Sequence, residues 1–186
     1  MNANLLVSGS IILIAVLIIG LATLLGLVFA LRNRSKGLKK QFGPEYDHTV
    51  EVMGDVGKAQ TELEDRKKHV EALDIQPLSA SDNARYQTEW AAVQSKFVDE
   101  PGQAIVEANR LIMEVMQVRA YPVSDFEQRA ADLSVNYPDF VNNYRAAREI
   151  ALRNKEKQAD TEELRQAIIY YRSLFEQLLG KEPIAT

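Results

Sequence analysis

The sequence of 186 residues contains no cysteine, and its only histidines are His48 and His69. Without cysteine, disulfide bonds, zinc–thiolate sites and cysteine nucleophiles are excluded. On one continuous helix the two histidines would lie about 31 Å apart, too far to share a metal ion. The sequence also lacks GxxxxGK[ST], GxGxxG, GxSxG and HExxH. It therefore predicts no catalytic residue, no cofactor and no metal site.

Charge is missing from the first 31 residues. The run from Leu5 to Leu31 contains only apolar side chains together with Gly, Ser and Thr, and it exceeds the about 20 residues that span a bilayer as a helix. Residues 1–31 are therefore predicted to be a transmembrane anchor. The alternative is a signal peptide cleaved after residues 28–30, with secretion of the rest. Against it, the first residues carry no basic side chain and the apolar run is too long for a signal peptide.

A basic segment without any acid follows the apolar run. Its bases are Arg32, Arg34, Lys36, Lys39 and Lys40. Residues 32–41 are therefore predicted to be a juxtamembrane linker that contacts anionic lipid headgroups. Because basic residues stay on the cytoplasmic side, the N-terminus is expected outside and the C-terminal domain in the cytoplasm. The remaining 17 bases face 26 acids, and this excess of negative charge argues against nucleic acid as a partner.

Residues 42–180 are predicted to form an all-α bundle of about five to six helices, because no segment alternates for long with period two. Residues 181–186 are expected to be a flexible tail. The first helix is predicted from Glu45 to about Leu73, since apolar residues from Val52 onward follow a heptad pattern that Arg66 interrupts. Such a seam normally packs inside its own domain, and the alternative is a parallel coiled-coil homodimer.

Apolar stripes at helical spacing predict the remaining core helices. One stripe, within residues 82–98, includes Tyr86 and Trp90. The next helix begins at Pro101, which suits a first turn. A long helix over residues 139–157 follows later, and the last helix runs from a cap at residues 160–163 to Gly180.

The segment YPVSDFEQRAADLSVNYPDF, residues 121–140, has the densest charge pattern. Ser124 and Glu127 match a capping box, which predicts the start of a short helix. Asp125 and Arg129 lie four residues apart in the favourable order for a helical ion pair, and Asp132 can share the same arginine. An arginine between two acids keeps both ionised, so these acids are predicted to be structural rather than acid–base groups.

The stretches FGPEYDHTVE (42–51), FVDEPGQAIVEAN (97–109), YPVSDFEQRAADLSVNYPDFVNNYR (121–145) and ELRQAIIYYRSLFEQLL (163–179) carry a resemblance. They resemble an uncharacterised group of bacterial hypothetical proteins that have an N-terminal apolar segment and a helical remainder. The resemblance covers nearly all of residues 42–179. It implies a bacterial source and a membrane or envelope location, and no catalytic activity.

These features favour a membrane-tethered, non-catalytic scaffold at the cytoplasmic face. Its expected partners are the lipid bilayer and another protein or a second copy of itself. The alternative is an enzyme or a cofactor-binding bundle that uses acidic residues without a recognisable motif.

Overall fold

The computed structural model describes residues 19–26, 29 and 32–180, and these residues contain helices and no strand. The chain divides into two units, Met1–Lys40 and Gln41–Thr186. The second unit contains the helices α1 (Pro44–Met53), α2 (Val56–Glu71), α3 (Ala80–Asp99), α4 (Pro101–Val118), α5 (Phe126–Asn136), α6 (Pro138–Lys155) and α7 (Thr161–Leu178). The predicted all-α helical bundle is therefore confirmed, although its described residues form seven helices rather than the expected five to six.

In the first unit, residues 19–26, 29 and 32–40 are helical. Over the parts of the chain that the structure describes, no helix combines the length and the apolar character that a membrane span requires. Most of the predicted anchor, namely residues 1–18, 27–28 and 30–31, lies outside the described residues. The predicted flexible tail, residues 181–186, lies outside them as well.

The hydrophobic core is built from α3 to α7. The buried face of α4 includes Ile105, Leu111 and Ile112, and none of these side chains is exposed to solvent. α4 packs against both α3 and α7, and α6 packs against α7. Trp90 of α3 stacks on Phe175 of α7, with ring centroids 4.5 Å apart. The apolar stripes predicted for α3, α4 and α7 are thus the faces that form the core.

The predicted first helix from Glu45 to Leu73 is wrong, because the chain forms two helices there. α1 ends at Gly54, which adopts a left-handed φ of 64°, a conformation that glycine adopts without a steric penalty. Asp55 then caps α2 by accepting a hydrogen bond from the Lys58 backbone N–H. Val52 and Val56 are exposed, so the predicted heptad seam does not form one continuous buried stripe, and the homodimer stays a prediction.

The predicted capping box at Ser124 is also wrong. The N-cap of α5 is Asp125, whose carboxylate accepts a hydrogen bond from the backbone N–H of Gln128 at 3.1 Å. The N-cap thus lies one residue later than predicted. A carboxylate, rather than a hydroxyl, therefore lies at the positive end of the helix dipole. Phe126 and Leu133 of α5 are buried in the core.

The pair α1–α2 docks on the bundle beside the main core. α2 packs against α5 and α1 packs against α6. Ala59, Leu63 and Val70 of α2 are buried, but they do not belong to the hydrophobic cluster formed by α3 to α7. Two buried acidic side chains, Glu45 and Asp132, occupy the interface between this helix pair and α5–α6.

Candidate functional site

The five predicted membrane-contact residues lie on one helical segment. Arg32, Lys36, Lys39 and Lys40 are exposed and Arg34 is half-buried, and both Arg34 and Lys39 have an interaction partner. At 100° per residue the four exposed bases fall within about 100° of the helix circumference, and the half-buried arginine falls on the other side. The segment therefore presents one basic face.

Glu45 is the centre of a buried ion-pair network between α1, α2 and α6. Its carboxylate accepts two hydrogen bonds from Arg145, at 2.6 and 2.9 Å, and one from Arg66 at 2.8 Å. The same Arg66 also donates to Glu62 at 2.9 Å, and Arg145 donates to Asn142 at 3.1 Å. One fully buried acid thus connects two helices that carry arginines.

The pKa of Glu45 shows which physical effect prevails in this network. Burial alone would raise it, but hydrogen bonds and positive charge from Arg145 and Arg66 outweigh burial, and the pKa is lowered. The acid therefore stays ionised in the folded protein. Arg66, the residue that interrupts the predicted seam, is the cation that α2 contributes.

Asp132 of α5 occupies the second polar centre and is fully buried. Its Oδ1 accepts a hydrogen bond from the Gln128 amide at 2.8 Å and lies 3.6 Å from Nε2 of His69 on α2. Its Oδ2 is buried without any hydrogen-bond partner. A buried polar atom without a partner is uncommon in folded proteins and costs free energy.

The predicted environment of Asp132 is wrong in two respects. Arg129 donates to the Ser124 carbonyl and, at 3.5 Å, to the Tyr144 hydroxyl, not to an acid. Burial raises the pKa of Asp132, although the hydrogen bond from Gln128 and the positive charges of His69 and Arg66 oppose that rise. The carboxylate is therefore not held ionised by a shared arginine.

A carboxylate with a raised pKa beside an imidazole is a pair that can exchange protons in principle. Such chemistry also needs space for a substrate. Of four surface cavities in the described part of the chain, none is lined by Asp132 or His69. The pair lies at the contact between α2 and α5, and enzymatic use of the bundle's acids stays a prediction.

Neither histidine is part of a metal site in the described residues. No group of three or more metal-ligating side chains occurs there. His48 lies on α1 and His69 on α2, so the distance predicted for one continuous helix does not apply.

Sequence reasoning missed the two buried acids for different reasons. Arg66 gave a usable signal, because a charged residue inside an apolar seam requires a partner of opposite charge. No such signal marks Asp132. Its spacing to Arg129 fits a surface ion pair, and only the packing of α2 against α5 buries it.

In comparisons with known proteins, no family model, no curated protein and no solved structure matches this chain.

Proposed function

We propose that this chain is a membrane-tethered interaction protein, with an N-terminal anchor, a basic segment on anionic headgroups and a non-catalytic helical domain in the cytoplasm. The observation that carries the proposal is the combination of exposed apolar side chains and a basic helix face in the first unit. The domain holds another protein, or a second copy of the chain, at the membrane.

Apolar side chains support the anchor. Ile19, Leu21, Leu24, Leu25 and Phe29 are each more than half exposed on helical residues. Consecutive large apolar side chains in water are unfavourable, at roughly 25 cal/mol for each Å² of apolar surface. A lipid phase removes that cost.

The basic face supports the orientation. Arg32, Lys36, Lys39 and Lys40 follow the apolar run directly and share one side of their helix. Each basic residue near an anionic surface contributes about 1 kcal/mol, so a shared face brings all four contributions together.

A reporter at the C-terminus of the full chain tests the topology. We expect a reporter that is active only in the cytoplasm to work, and one that is active only outside to be silent, because the flanking positive charge follows the span. Replacing Arg32, Lys36, Lys39 and Lys40 by Gln together should transfer part of the population to the opposite orientation.

In the matched control, Arg32 is replaced by Lys, and Lys36, Lys39 and Lys40 are each replaced by Arg. It keeps the charge and should keep the orientation. An external reporter that is active in the unaltered chain would contradict the proposed topology.

An apolar groove supports the interaction role. Phe97 and Gln94 of α3 line it together with Ile168, Ile169 and Arg172 of α7, and the cavity has a volume of about 160 Å³. Ile169 is half exposed. A groove between two helices accepts an apolar side chain from a partner helix, which is a common mode of peptide recognition.

A photoreactive side chain at position 169 tests this role in native membranes. We expect a protein adduct from position 169 and none from position 88. Thr88 is exposed on α3 and, nine residues before Phe97, lies on the opposite face of that helix. An adduct of twice the chain's mass would identify a second copy as the partner. Equal labelling from both positions, or lipid adducts alone, would contradict the interaction role.

A further inference from the structure

Two of the four cations on α6 have no carboxylate partner, whereas ten cations of the described domain have one. Bases with a carboxylate partner occur throughout the bundle: Arg66, Lys67, Lys68, Arg85, Lys96, Arg110, Arg145, Arg153, Arg165 and Arg172. Arg148 and Lys155 have no carboxylate partner among the described residues.

Both cations line the same cavity. The cavity has a volume of about 80 Å³ and lies between α4, α6 and α7. No acidic residue lines it; besides the two cations its polar lining residues are Asn109 and Tyr171. At 1.5 Å per residue, Arg148 and Lys155 are about 10 Å apart along α6, so positive charge is present at both ends.

Tyr171 provides an independent observation. The residue is only 1% exposed, yet it lines the cavity, and its hydroxyl has no hydrogen-bond partner within the described chain. Burial raises the pKa of this phenol, so it stays protonated and can donate. The hydroxyl oxygen is not one of the fully buried polar atoms that lack a partner, so it reaches the open space of the cavity, where it can donate to a ligand.

The rest of the lining is apolar. Ile105, Val106, Ala151 and Leu152 form it. A second cavity, of about 480 Å³, shares the lining residues Val106 and Lys155 and therefore adjoins the first. This adjoining cavity is lined mainly by polar and charged residues, among them Glu100 and Lys157, so the apolar surface available to a ligand lies in the first cavity.

We infer that the cavity between α4, α6 and α7 binds an amphiphile with an anionic head, a carboxylate or a phosphate. The head accepts a hydrogen bond from the Tyr171 hydroxyl and interacts with the positive charges of Arg148 and Lys155, and the tail contacts the apolar side chains of the same cavity. The inference concerns a face of the bundle other than the α3–α7 groove and does not depend on the anchor.

Methyl-labelled full-length chain in nanodiscs of uncharged lipid provides the test. Hexanoate should shift the methyl signals of Ile105, Val106 and Leu152 saturably, because these side chains line the cavity. The methyl signal of Met53, which lines a separate cavity beside Lys58, should not shift. Hexanol, with a similar tail and no charge, should bind about tenfold more weakly or not at all, since charge-assisted hydrogen bonds are the stronger class.

Three single substitutions assign the contacts. Lys155→Gln and Arg148→Gln should each weaken hexanoate binding about five- to tenfold, and Tyr171→Phe about threefold. Lys58→Gln is the matched control, because Lys58 is an exposed cation that lines the separate cavity, and it should leave binding unchanged. Arg148 also stacks on Phe126 at 4.2 Å, so the exposed Lys155 keeps the test decisive if the Arg148 variant does not fold.

Nanodiscs that contain phosphatidylglycerol distinguish a lipid from a soluble acid. If the bilayer supplies the head, the same methyl signals shift without hexanoate, and hexanoate competes with the lipid. If the signals shift only with hexanoate, the ligand is a soluble acid. Equal binding of hexanol and hexanoate, the absence of saturable shifts, or unchanged affinity in the Lys155→Gln and Tyr171→Phe variants would each overturn the inference.

Discussion

Glu45→Gln is expected to lower the free energy of unfolding by about 3 kcal/mol at neutral pH. Removing one partner of a buried ion pair typically costs about 3–5 kcal/mol, because the other charge stays buried without compensation. Here Arg145 and Arg66 keep some solvent access, with side chains 21% and 16% exposed, which favours the low end of that range. Denaturant unfolding of the full-length chain in detergent micelles measures the change.

Glu62→Gln is the matched control. Glu62 pairs with the same Arg66, but its side chain is 38% exposed, and an exposed pair contributes about 1 kcal/mol or less. Equal losses for Glu45→Gln and Glu62→Gln would mean that burial does not set the energy of the network.

The pH dependence of the Glu45 contribution has a defined sign. Its folded pKa is lowered, so its stabilisation is present above the unfolded value of about 4.3 and is lost as the pH falls through the folded pKa. The stability difference between the unaltered chain and Glu45→Gln should therefore shrink in acid. A difference that is constant from neutral pH to about pH 3 would contradict this assignment.

Sequence patterns predicted the core helices well because apolar spacing dominates there. The stripe through Tyr86 and Trp90 and the first-turn position of Pro101 depend on local chemistry alone. The errors arose where two local signals competed. Gly54 ends α1 and Asp55 begins α2. The apolar spacing continues across these two residues in the sequence, so the spacing alone predicted one uninterrupted helix.

The polar centres could not be predicted to the same degree. Glu45 and Arg145 are 100 residues apart in sequence, and no periodicity links residues so distant. The cavity between α4, α6 and α7 could not be predicted either, because its lining residues come from helices that are distant in sequence. Arg148 and Lys155 fit the ordinary placement of bases towards the C-terminal end of a helix, and their lack of carboxylate partners becomes visible only when α4 and α7 are packed against α6.

Asp132→Asn is expected to raise the free energy of unfolding at neutral pH by about 1–2 kcal/mol, within the gain seen when buried charges are replaced by neutral groups of similar volume. The carboxylate is fully buried, and its Oδ2 has no partner. The asparagine keeps the shape without the charge, and the Gln128 amide can turn to present its oxygen to the new donor. If Asp132 instead formed the exposed ion pair that the sequence alone predicts, Asp132→Asn would lower the free energy of unfolding by about 0.5 kcal/mol or less.

The control is Asp125→Asn on the same helix. Asp125 is the exposed N-cap, and asparagine caps a helix about as well as aspartate, so stability should be nearly unchanged. Both variants are compared with the unaltered chain by denaturant unfolding in micelles. A loss of stability for Asp132→Asn would show that the ionised carboxylate stabilises the contact with His69, and would contradict the unfavourable burial argued from its unpartnered oxygen.

A pH series separates charge from shape in the Asp132→Asn variant. Because burial raises the folded pKa of Asp132, the favourable contribution of the protonated acid is fully present below the unfolded value of about 3.9 and is lost as the pH rises through the folded pKa. The advantage of the asparagine should therefore be small below about pH 4 and grow above it until the folded carboxylate is ionised. Glu45 responds in the opposite direction, so the Glu45→Gln and Asp132→Asn difference curves should diverge as the pH rises from acid to neutral. Parallel curves would mean that burial and neighbouring charges do not shift the pKa values of the two acids in opposite directions.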